Sequence, residues 1–76
     1  MTLYRYINKN LTRIRHEAAI GLIPCSVLRH WEIYSRYDAY RKADVSASIA
    51  VLHTATDMQV TEDCVYKIIR KMEQKA

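Results

Sequence analysis

The segment from Val51 to Arg70, VLHTATDMQVTEDCVYKIIR, leaves little room for anything but two short helices joined by a sharp turn at Gln59-Val60-Thr61. Thr61 can cap the second helix by accepting the free N–H groups of its first turn. Glu62 and Asp63 then meet the positive end of its dipole. Beyond that start, Val65, Ile68, Ile69 and Met72 recur at the three- and four-residue spacing that gathers side chains on one face, predicting a buried side. Asp63, Tyr66, Lys67, Arg70 and Gln74 fall opposite. In the preceding helix Val51, Leu52, Ala55 and Met58 form a matching apolar stripe, with the small Ala55 where two crossing helices come closest.

These residues carry a resemblance. Ala55 as the small residue, Val60 as the apolar turn residue, Thr61 as the cap and Val65 with Ile68 as the buried pair resemble the helix-turn-helix of bacterial and phage DNA-binding proteins, over about a quarter of the chain. The turn position that such proteins usually fill with Gly, because it needs a positive φ, is Gln59 here, at some conformational cost. More narrowly, VTEDCVYKIIRKM and the upstream RHWEIYSRY are similar to the C-terminal half of the Mor/C-type transcription activators of transposing phages. The resemblance implies that the last helix enters the major groove of double-stranded DNA. Thr61, Asp63, Tyr66, Lys67, Arg70 and Lys71 are then the DNA-contacting residues. Lys67 and Arg70 can meet guanine or phosphate, Tyr66 and Thr61 phosphate, and Asp63 or Glu62 a cytosine amine.

Upstream, residues 3–19 read as one amphipathic helix. Leu3, Ile7, Leu11, Ile14 and Ala18 share a side, while Arg5, Lys9, Arg13 and His16 run along the other. Its apolar stripe can pack on the core or on a twin chain; Arg5, Lys9 and Arg13 are candidate phosphate contacts. Gly21 and Pro24 break this helix, since Gly suits a helix end and Pro the first turn of the next. A central helix over 25–42 follows, with apolar stripes Val27/Leu28/Trp31/Tyr34 and Ile33/Tyr37/Tyr40 that predict neighbours on two sides. Asp44, Ser46 and Ser48 are able to cap in the loop that leads to the helix-turn-helix unit at 48–75, and Glu73 to Ala76 read as a frayed basic tail. With one Gly, one Pro and few β-branched runs in 76 residues, the expectation is a single all-α domain of four helices, a tri-helical core plus an N-terminal helix.

The charge of +4 is unevenly placed: residues 1–20 carry four basic and one acidic side chain, and 45–60 carry Asp57 with no Lys or Arg. Positive ends suit a polyanionic partner, although many solvated surfaces look the same. A domain this small buries only ~60% of its unfolded surface, so a homodimer is expected, with a larger protein as a further possible partner.

Cys25 and Cys64 do not suggest a disulfide scaffold, and a reducing cytoplasm is the default setting. No apolar run approaches the ~20 residues of a membrane span. Cys25, Cys64, His16, His30 and His53 lack the spacing of a zinc site, so neither a metal, a cofactor nor an enzyme is expected. Trp31 and the tyrosines could stack on single-stranded nucleic acid, but their helical spacing favours core packing. The leading expectation is a DNA-binding transcriptional regulator or accessory of a phage or mobile element. The alternative is a helical interaction or oligomerisation module with no nucleic-acid role.

Overall fold

A computed structural model describes residues 1–75. They form five helices: α1 (Leu3–Lys9), α2 (Leu11–Ala19), α3 (Ser26–Lys42), α4 (Ala47–Met58) and α5 (Glu62–Met72). The domain is all-α, with five helices where four were expected. The helix predicted over 3–19 is broken at Asn10, whose φ of −115° and ψ of 20° leave helical geometry. The Asn10 side chain donates to the Tyr6 carbonyl at 2.9 Å, a local bond that competes with the helical ladder. Asn10 thereby closes α1 and opens α2. The bend lets α1 lie on both α3 and α5 while α2 follows α3.

α3 is the strut, in contact with every other helix. Ile33, Tyr34 and Tyr37 of α3 meet Ala50, Val51 and Ala55 of α4 and Val65, Ile68 and Met72 of α5 in one core. Ile7 and Ile14 close it from above. The N-terminal stripe therefore packs on its own chain. Aromatic pairing ties α1 down: the Tyr4 and Tyr34 rings lie 4.5 Å apart, Tyr4 bonds the Ser35 hydroxyl at 3.1 Å, and the Trp31 indole donates to Asn8 at 2.7 Å. Trp31, bonded in this way and with the Arg15 guanidinium 5.8 Å over its ring, is no open stacking platform.

On α4 one expectation needs correction. Leu52 is 50% exposed, and Thr54 is buried in its stead. At 100° per residue, Val51, Thr54, Ala55 and Met58 cluster on one side and Leu52 falls a quarter-turn away. The helix also starts one residue earlier than predicted, after Ser46, whose side chain makes no capping bond.

Three helices end alike. Gly21 (φ 85°), Asp44 (φ 64°) and Gln59 (φ 57°) are left-handed, and each is followed by an amide that donates to the carbonyl five residues before it: Leu22 to Glu17, Val45 to Tyr40 and Val60 to Ala55. This closure satisfies carbonyls that the helix end leaves free. Past α5, the expected frayed tail is instead tied in. The Leu3 amide donates to the Gln74 carbonyl at 2.7 Å, Thr2 and Lys75 form an isolated antiparallel bridge, and Tyr34 donates to Glu73 at 3.1 Å. Ala76, the last residue of that predicted tail, lies outside the described residues.

Candidate nucleic-acid interface

The geometry of α5 begins at its turn. Gln59 adopts the left-handed conformation that the position requires, and Arg29 of α3 donates to the Met58 carbonyl at 2.9 Å. That guanidinium meets the negative end of the α4 dipole and pins the turn to the strut. Thr61 then caps α5, its hydroxyl accepting from the Cys64 amide at 3.1 Å. Val65, Ile68 and Met72 anchor one side of α5 in the core. The helix is held at its start and along its inner face, so its outer side chains are presented on a rigid frame.

Thr61, Asp63, Tyr66, Lys67, Arg70 and Lys71 are all exposed. Asp63 and Lys67 form a solvent-facing ion pair at 3.1 Å, one helical turn apart. This pairing compensates the Asp63 carboxylate, which with Glu62 lies in the first turn of α5 and meets the dipole there. Tyr66 and Arg70, four residues apart, share the neighbouring strip of the same face. Among the described residues, no group of three His, Cys, Asp or Glu side chains is placed to hold a metal ion, and no helix is long and apolar enough to cross a membrane.

Comparison with family models, curated proteins and solved structures found no match.

The N-terminal cations divide into two groups. Lys67 and Lys71 line one cavity together with His30; Lys71 and Arg13 line a second; Arg13, Lys9 and His16 line a third. Basic side chains thus follow one another from α5 across to α2 and the end of α1. Arg5 is exposed on α1 but lines none of these three cavities. Arg13 is the best fixed of the line: its Nε lies 3.3 Å from Glu17 and its Nη2 donates to the Tyr6 hydroxyl at 3.0 Å.

Two residues emerge that the sequence did not single out for the site. Arg29 carries no local signal, because its partner lies 29 residues away. His30 sits between the first two cavities. Partial burial, and then the nearby Lys71 charge, lower its pKa from the usual histidine value, which favours the neutral ring.

Proposed function

We propose that this chain binds double-stranded DNA through α5, as a transcriptional regulator or architectural accessory of a phage or mobile element, in the manner of the helix-turn-helix proteins it resembles. The observation that carries the reading is the rigidly mounted outer face of α5. Tyr66, Lys67, Arg70 and Lys71 are exposed while the opposite side is buried, and the basic line continues to Arg13 and Lys9. An α-helix presented this way fits the width of the major groove, and the flanking cations fit its phosphate walls. The setting is the cytoplasm, where Cys25 and Cys64 remain free thiols. A homodimer adds a second copy of the face and the affinity that one small domain lacks.

A fluorescence-anisotropy titration on a random duplex at several salt concentrations tests this. Neutralising three to six phosphates gives a log–log salt slope of about −3 to −5. The double variant Lys67→Ala/Arg70→Ala should weaken binding by about tenfold or more and flatten the slope by about 2. A folded protein that ignores duplex even at low salt excludes the reading.

A second reading is supported by α4. Ile49 and Leu52 are about half exposed on its outer side, an apolar pair suited to a protein surface. Here the domain is an interaction or oligomerisation module without nucleic acid. Sedimentation of wild type against Ile49→Ser/Leu52→Ser, read beside the duplex titration, discriminates, because a concentration-dependent assembly lost in the variant supports this reading only where the folded wild type ignores duplex at low salt.

A further inference from the structure

The cavity shared by Arg13 and Lys71 has a construction that duplex binding does not need. It measures about 390 Å³, within the range of small-molecule sites. Leu3, Ile7, Ile14, Ile23, Val27 and Met72 form its apolar wall. Ile7, Ile14 and Met72 belong to the core, so the floor is continuous with the packed interior.

Polar groups are confined to a few side chains: Arg13, Glu17, Tyr6, His30 and Lys71. Glu17 supplies the carboxylate, already engaged by Arg13 at 3.3 Å, and Tyr6 accepts from the same guanidinium at 3.0 Å. Arg13 is therefore held in place with donor capacity to spare, because a guanidinium carries five N–H groups. Lys71 adds a second full positive charge. An apolar trough with a fixed guanidinium and an ammonium is complementary to a molecule with a hydrocarbon body and a single anionic head.

We propose that this trough binds an aliphatic monocarboxylate, its chain along the wall formed by α1, α2, α3 and α5 and its carboxylate between Arg13 and Lys71. Occupancy then withdraws two cations from the basic line, so the carboxylate competes with duplex. This second half rests on the DNA-binding reading, whereas the carboxylate site does not.

Titration of the full chain with decanoate and with decanol, followed by amide shifts in two-dimensional NMR, tests the site below the concentration at which decanoate forms micelles. Decanoate is expected to perturb Ile7, Ile14, Val27 and Met72 and to bind at least about tenfold tighter than decanol, the scale of one charge-assisted contact. In Arg13→Gln/Lys71→Gln, exposed changes that leave the wall intact, decanoate affinity should fall to that of decanol while decanol binding is unchanged. Equal affinity for the two probes, perturbations mapping elsewhere, or no perturbation by decanoate would each overturn the site.

The competition arm repeats the anisotropy titration with saturating decanoate or decanol. Weakened duplex binding with decanoate alone is expected. Duplex binding indifferent to saturating decanoate overturns the coupling. Absence of any duplex binding removes the functional reading, and the NMR arm then decides the carboxylate site independently.

Discussion

Gly21, Asp44 and Gln59 occupy equivalent left-handed positions at the ends of three helices, and an L side chain in that region carries a penalty of about 1 kcal/mol. Replacing Gln59 with Gly removes the penalty, but part of the gain is returned through the greater freedom of the unfolded chain. We expect Gln59→Gly to stabilise by about 0.5 kcal/mol, a rise in Tm of about 2–4 °C by calorimetry. A fall in Tm would mean that the Gln59 side chain contributes more than its backbone costs. His30 makes a second residue-scale prediction. Its folded pKa lies below the unfolded value near 6.5, so the unfolded chain binds more protons in the window beneath that value. Stability should therefore drop as pH falls through about 6.5 and level off below the folded pKa. Urea midpoints of wild type and His30→Gln across pH 5 to 8 check the sign: the wild type should lose more stability on acidification than the variant.

At the scale of elements, α5 was legible because its signals are local. The cap, the acidic first turn and the three-to-four spacing all lie within a dozen residues, and the structure places Thr61, Val65, Ile68 and Met72 in those roles. Thr61→Ala should cost about 1 kcal/mol and lower helicity by circular dichroism, while Thr61→Ser should retain most of both. If Ala and Ser behave alike, the hydroxyl is not the cap that matters. The break at Asn10 was not legible, since the apolar spacing from Leu3 to Ala18 runs through it undisturbed. Only the need to cover α3 and α5 together decides for a bend. Leu52 misled for a related reason: a stripe read from hydrophobicity takes in a leucine a quarter-turn off and passes over Thr54, which geometry buries. For the candidate site, the residues of α5 could be named from periodicity. The link from Lys71 to Arg13 and Lys9 could not, because it is made by helices far apart in sequence and depends on how they dock.

Across the whole molecule, stability must come from a thin margin, as in any domain of this size. The contacts that join the first and last helices carry weight in that margin. Tyr34 stands at their centre: burial, and then its bond to Glu73, push its hydroxyl well above the usual tyrosine range, so it remains a donor at any working pH. Tyr34→Phe keeps the ring and removes the bond, and should lower stability by about 1 kcal/mol in urea unfolding. Glu73→Gln in the wild-type background should cost less than Tyr34→Phe, because its amide oxygen still accepts from the Tyr34 hydroxyl; a Glu73→Gln as damaging as Tyr34→Phe would point to charge in place of hydrogen bonding. With Leu3 bonded to Gln74 and Thr2 bridged to Lys75, the backbone before α1 and the backbone after α5 run side by side. Spliced into an exposed hairpin of a fluorescent carrier, the domain would ask its host to open by little more than the width of two neighbouring strands, and its folding could be followed through the carrier's light.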